Sequence, residues 1–436
     1  MSAAGKYRNG GGFGAARAVI GFILFSAIAL AQALLCAPAT AAKLEVIHEF
    51  TGPDGCAPKG GLAVDPNTGI LYGTATYCGG AGGGTVFTLT PPPPERRRWK
   101  FEVVYDFQGG ADGSQPETAP TLRFFDGEFY SLFGTTHNGG LAGSGALFEL
   151  LPIGRPPWDL QTVHKFSCDE GAIPNSPLQL SLTDPSSNFL YGTTSSAGCG
   201  GIVFRVDRVL LQLQVINNPD KNIGTFVGNH PQGVTIDANG TLFGTAFDGE
   251  FAGTVFRMDQ FGKGKILHSF GGPDGLYPQA PPILGPDGAM YGTASEGGRP
   301  RDCPESPGCG VVWKKPPFSR QKVLHSFRFF TRNQDGMSPV SPLVLDEATG
   351  TLYGTTFYGG KGTTCGGVGG SCGTIFKIDD EGNYEVLWNF PRGGPANPQG
   401  QLVFHDGALY GTSYDGGKPC PGQHYIGCGT VWKLTP

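Results

Sequence analysis

Seven copies of one glycine-centred tetrad limit what this chain can fold into. Leu71-Tyr72-Gly73-Thr74 recurs as Leu132-Phe133-Gly134-Thr135, Leu190-Tyr191-Gly192-Thr193, Leu242-Phe243-Gly244-Thr245, Met290-Tyr291-Gly292-Thr293, Leu352-Tyr353-Gly354-Thr355 and Leu409-Tyr410-Gly411-Thr412. The central glycines lie 48 to 62 residues apart, a period of about 56. Self-similarity at such a period marks an array of one supersecondary unit.

Two further signatures keep step with the tetrad. After a glycine-rich loop comes a Gly-Thr-Val-Phe type strand, as at Gly84 to Phe87, Gly373 to Phe376 and Gly429 to Trp432. Ahead of most tetrads a strand ends in Phe (Phe50, Phe107, Phe166, Phe270, Phe327, Phe390), followed by an Asp-Gly turn, a proline and a short apolar strand. Each unit therefore reads as four short strands joined by hairpin-length links, and such links allow only antiparallel neighbours. The expected fold is all-β: one seven-bladed β-propeller of four-stranded antiparallel blades over residues 43–436. The fourth unit lacks a clean Phe strand between Val206 and Gly233, which predicts an irregular outer strand there. Glycine inside a strand weakens it, so its sevenfold recurrence predicts close approach of backbones where blades crowd the axis. The neighbouring aromatic is expected to fill the space between blades.

Composition agrees. Glycine and proline make up 73 and 36 of 436 residues, and only 15% are charged, which suits many short strands and tight turns. The first 42 residues differ. Lys6, Arg8 and Arg17 open a segment without acids, Ala18 to Ala31 is apolar, and Ala39-Thr40-Ala41 offers small residues for cleavage. That is the layout of a secretory signal peptide, its apolar run short of the roughly 20 residues of a spanning helix. Its removal takes Lys plus Arg from 31 to 28 against 36 acids. An acidic surface argues against nucleic acid and anionic membranes, and Arg96-Arg97-Arg98 beside Pro91 to Pro94 reads as a solvated loop. Ten cysteines remain besides Cys36. Spacing pairs Cys303 with Cys309, Cys365 with Cys372 and Cys420 with Cys428; equivalent flanks of two repeats pair Cys56 with Cys78 and Cys168 with Cys199. None has the spacing of a zinc site, and an exported chain meets an oxidising compartment, so five disulfides are expected.

At its two main signatures the sequence resembles exported bacterial proteins built of GloVer-type tandem repeats. Their units carry Leu-Tyr-Gly-Thr-Thr, a Gly-Gly loop and Gly-Thr-Val-Phe, as at Leu352 to Thr356, Gly359-Gly360 and Gly373 to Phe376. The resemblance spans Lys43 to Pro436. It implies a secreted, periplasmic or surface-attached protein and carries over no activity and no catalytic residue.

Chemistry should break the repeat symmetry. His48, His164, His268 and His325 recur at one repeat position and read as structural, while His137, His230, His405 and His424 form no metal-binding spacing. No nucleophile elbow or phosphate-binding loop is present, and the Asp-Gly turns lack the spaced carboxylates of a calcium loop. No metal or cofactor is expected. The loop after each tetrad varies most, and it is expected to place Tyr77, His137, Phe247, Tyr358 and Tyr414 around one mouth, a rim suited to carbohydrate, peptide or a cell-surface component. The leading expectation is a monomeric extracellular binding or scaffold module. The alternative is a lyase or hydrolase acting on an extracellular polysaccharide or cyclic ester. Ionisable groups converging in the channel would favour the enzyme, and an apolar or glycine-lined channel would exclude it.

Overall fold

The computed structural model describes residues 41–140, 143–181, 189–195, 201–249, 252–303, 307–329, 335–361, 372–421 and 427–436. The expected leader falls outside these but for its last two residues, as do Cys36, Cys199 and Cys365. Lys43–Pro436 forms one compact unit. It is a seven-bladed β-propeller: seven separate four-stranded antiparallel sheets, with 3-10 turns of three residues as the only helical elements among the described residues. No described helix is long and apolar enough to cross a membrane.

The blade is offset from the sequence repeat by one strand. Blade 1 runs outward as Leu62–Val64, Leu71–Ala75, Thr85–Thr90 and Lys100–Asp106. Its outer strand is thus the Phe strand of the following repeat. The displaced first Phe strand, Lys43–Glu49, becomes the outer strand of blade 7 by pairing with the last strand, Thr430–Thr435. The first and last described strands share a sheet, which closes the ring.

The tetrad glycine has a different cause from the one the sequence suggests. Each faces the aromatic of the Gly-Thr-Val-Phe strand across the ladder, as Gly73 faces Phe87 and Gly411 faces Trp432. A Cβ on Gly73 would stand 2.4 Å from the Phe87 ring, and the other six meet the same obstacle at 2.4–2.5 Å. The glycine makes room for a ring laid flat over it in mid-blade; the crowding is not backbone against backbone at the axis. The tetrad aromatic does bridge blades, as expected: Tyr72 of blade 1 packs on Phe129 and Trp158 of blade 2, and Tyr410 of blade 7 on Trp99 of blade 1.

The outer strands share a second device. In all seven blades the register slips by one residue opposite the Val-Phe step, a β-bulge at Ile47, Val104, Val163, Ile216, Leu267, Leu324 and Leu387. A bulge re-aims the side chains that follow it. Four recurring histidines come next, each edge-on to the Phe two residues later. Their Nε2 atoms stand 2.8–3.1 Å from the acids of the following turns: Asp54, Glu170, Asp274 and Asp335. The three aspartates also accept backbone N–H bonds at the turn, Asp54 from Thr51 (2.8 Å), Asp274 from Gly271 (2.9 Å) and Asp335 from Arg328 (2.7 Å). The Asp-Gly turns therefore spend their oxygens inside the fold. Burial holds His164 and His268 below the usual histidine pKa despite the facing carboxylates.

The fourth repeat corrects the expectation of an irregular outer strand. Gln212–Asn217 is a regular outer strand of blade 3, bulge included. The irregularity comes after it. Asn217 takes the histidine position and donates to the Thr225 carbonyl (2.7 Å), and Pro219–Lys221 turns where other repeats bury their Phe.

Cys56–Cys78, Cys303–Cys309 and Cys420–Cys428 are disulfides. Cys168 and Cys372 are also disulfide-bonded; their expected partners, Cys199 and Cys365, lie outside the described residues. Cys56, Cys78 and Cys420 cluster within 4.8 Å at the closing seam. All three belong to cystines, so no thiolate is left for a metal.

Candidate functional site

The mouth of the propeller is built from the segment that leads into each inner strand. Its first residue stands just before the repeat proline: Ala57, Gln115, Ile173, His230, Tyr277, Ser338 and Asn397. All seven have φ between +52° and +61°, a left-handed conformation that costs an L-residue roughly 1–2 kcal/mol. The surroundings hold it in place. The Ala57 N–H reaches the Cys428 carbonyl of blade 7 (2.8 Å), and its own carbonyl accepts from Thr76 (3.3 Å); Gln115, Tyr277, Ser338 and Asn397 make the same two bonds. The proline then packs its Cδ on the glycine that opens the preceding Gly-Thr-Val-Phe strand. Gly84 meets Pro116, Gly253 meets Pro278 and Gly429 meets Pro58, with no space for a Cβ (2.4–2.6 Å).

This kink turns the residue after the proline onto the axis. The seven are Lys59, Glu117, Asn175, Gln232, Gln279, Val340 and Gln399, one from each blade, and all line one cavity of about 570 Å³. Below them the tetrad threonines tie neighbouring blades together. Thr74, Thr245 and Thr293 donate to the carbonyls of Thr118, Ala280 and Ser341 (2.8–3.1 Å). The ring is therefore rigidly mounted.

Its polar groups are partly matched to one another. Lys59 Nζ stands 2.5 Å from Glu117 Oε2. Asn175 Nδ2 donates to Gln232 Oε1 (3.1 Å), and its Oδ1 accepts from Thr193 (3.0 Å). Gln279 donates to Ser295 (2.9 Å). Gln399 and Gln401, also in the lining, make no side-chain hydrogen bond among the described residues.

Of the five residues expected at the rim, His137 and Tyr358 line the cavity. His137 Nδ1 lies 3.0 Å from Asn138 Oδ1, and Tyr358 meets Phe357 edge-on at 4.5 Å. Tyr77, Phe247 and Tyr414 are not in the lining. Tyr77 packs on the core beside Cys78, its main chain paired with Cys56. Phe247 stacks on Tyr277 (4.9 Å), and half-buried Tyr414 donates its N–H to Asn397. Loop position does not separate the two groups: Phe247 and Tyr414 stand at the repeat position of His137, and Tyr77 at that of Tyr358. The expectation also passed over the residue after the repeat proline, although that residue is polar or charged in six of the seven copies.

The sequence signature of the Gloeobacter/Verrucomicrobia repeat matches residues 36–218, 100–302 and 188–425. No curated protein matches the chain. Among solved structures, an oligogalacturonate lyase in complex with manganese is 10% identical with a TM-score of 0.52, covering 91% of this chain and 96% of that one. A puromycin hydrolase is 13% identical with a TM-score of 0.51; the match covers 83% of this chain and spans half of the hydrolase. At these identities the likeness is one of fold alone.

Proposed function

The chain belongs to the Gloeobacter/Verrucomicrobia repeat family, and on that premise we propose that it is an exported binding module whose ligand sits in the seven-sided mouth. The ring after the repeat prolines carries the proposal. Six of the seven are Gln, Asn, Lys or Glu, Val340 being the exception, and each follows the repeat proline. Carboxamides offer donor and acceptor on one short arm, the pairing that adjacent sugar hydroxyls take up. With His137, Phe357 and Tyr358 beside them, the groups suit a neutral carbohydrate. The disulfides and the leader support action outside the cytoplasm.

The enzyme reading keeps one supporting observation: ionisable groups meet in the polar lining, where Lys59 pairs with Glu117. Each group neutralises the other, which favours holding a ligand over proton transfer.

A glycan and metabolite screen tests the proposal. A carbohydrate should bind, and Gln279→Ala and Gln399→Ala should each weaken it about tenfold, the loss of one or two neutral hydrogen bonds. Binding that ignores both variants removes the mouth as the site. Turnover of any screened polysaccharide or lactone, lost in Glu117→Gln, would establish the enzyme instead.

A further inference from the structure

The hairpin that follows each Gly-Thr-Val-Phe strand lies on the face opposite the mouth. In blades 2 to 6 the stretch between the two strands is four to seven residues; in blade 1 it is the nine residues 91–99, four prolines followed by Glu95, three arginines and Trp99. Consecutive prolines make an extended, semi-rigid stem. Pro91 and Pro92 wall a groove of about 790 Å³ at the seam between blades 7 and 1, and the stem places Arg97 and half-buried Trp99 in it. Lys43 enters from the first strand and Lys433 from the last, so this groove exists only because the ring closes there.

Charge in the groove is mixed. Lys43, Arg97 and Lys433 have no carboxylate within 4.0 Å among the described residues, and Lys433 lies over the Tyr410 ring. Glu45, Asp406 and His405 share the lining, the last two 3.4 Å apart. Three cations without a carboxylate partner among the described residues, in a protein of net charge −5, select an anion. Two carboxylates in the same groove oppose a bare polyanion such as nucleic acid, while they accept hydroxyl protons well. An indole and two prolines give an apolar surface of the kind a sugar ring covers, and the volume is that of a small-ligand site.

We propose that the seam groove binds an acidic oligosaccharide, with Arg97, Lys43 and Lys433 around its anionic group, Trp99 against a ring face, and Glu45 and Asp406 taking hydroxyls. The guanidinium of Arg97 offers the paired donors that a carboxylate or sulfate accepts. Arg96 and Arg98, both exposed, extend the positive field toward the next unit of a polymer.

Calorimetric titration at low salt tests this, using tetramannuronate, a chondroitin sulfate tetrasaccharide and neutral mannotetraose, with tryptophan fluorescence followed in parallel. The uronate, the sulfated sugar or both should bind at least tenfold more tightly than mannotetraose. Arg97→Gln should weaken that binding about tenfold, and 0.5 M salt should weaken it further. Arg97 is an exposed loop residue, so an unchanged melting temperature will show that the variant is folded. Gln279→Ala, in the mouth, should leave this binding unchanged. No millimolar binding of either acidic sugar overturns the proposal, and so does equal binding of the neutral one. Loss in Gln279→Ala with none in Arg97→Gln moves the ligand to the mouth. Displacement by inorganic sulfate at equal concentration reduces the groove to an anion site and also overturns it.

Discussion

Replacing Gly84 by alanine tests the interlock that mounts the mouth. Gly84 has φ +92°, and a Cβ there would stand 2.6 Å from the Ala75 and Thr76 carbonyl oxygens and 2.6 Å from Pro116 Cδ of the next blade. Gly272 has a comparable φ of +103° and nothing within 4 Å, so Gly272→Ala supplies the backbone strain without the clash. That strain is worth roughly 1–2 kcal/mol in either variant. Overpacking against parts that cannot yield adds about 2 kcal/mol at Gly84 alone. An unfolding entropy of about 2.1 cal/mol/K per residue makes about 0.8 kcal/mol/K over the roughly 400 residues of the propeller. Gly84→Ala should then lower the melting temperature by about 4 °C and Gly272→Ala by about 2 °C. Scanning calorimetry at one heating rate, with disulfides intact, resolves that gap. Equal shifts in the two variants would refute the claim that the glycine–proline contact, and not backbone conformation alone, requires glycine.

The remaining predictions concern pH, disulfides and export. Because burial depresses the pKa of His164 and His268, both are neutral in the fold and gain protons more readily once unfolded. Their contribution is present above the unfolded pKa of about 6.5 and is lost as pH falls through the lower folded value. The melting temperature should therefore be level near pH 7.5 and drop below about pH 6.5, and a His164→Gln/His268→Gln double variant should flatten that drop. Opening Cys420–Cys428, which spans eight residues, with Cys420→Ser/Cys428→Ser should cost about 2–3 kcal/mol by loop-closure entropy, read as a lower melting temperature than the parent chain under non-reducing conditions. Mass spectrometry of protein exported from a bacterial host should find a chain beginning close to Lys43; a mass retaining the first 42 residues would refute cleavage.

The repeat made the fold legible, because seven copies of one pattern admit only a closed array of like sheets, and hairpin-length links make those sheets antiparallel. Spacing likewise paired Cys303 with Cys309 and Cys420 with Cys428, and repeat position paired Cys56 with Cys78. Recurrence marked the four strand histidines as structural, and the structure gives each a carboxylate and a phenylalanine. Periodicity has no phase, however. A repeat read from its Phe strand and one read from its proline strand look alike, and only the pairing of Lys43–Glu49 with Thr430–Thr435 decides where a blade begins. The tetrad glycine was visible seven times, but its reason lies across a strand pair, in the ring of Phe87 and its equivalents.

The site divided in the same way. Sequence marked the loops after the tetrad as variable, and two of its five rim residues, His137 and Tyr358, do face the cavity. The others could not be told apart from these, since Phe247 and Tyr414 share the repeat position of His137 and Tyr77 that of Tyr358. Packing on neighbours such as Tyr277 decides which residue turns away. The sequence by itself determined the number of blades, the strands within them and most of the covalent ties, because these arise from local pattern repeated. Tertiary structure alone decided which residue of each repeat meets the axis and what the closing seam brings together. Both depend on contacts between residues a blade or a whole ring apart, on which a local pattern carries no information.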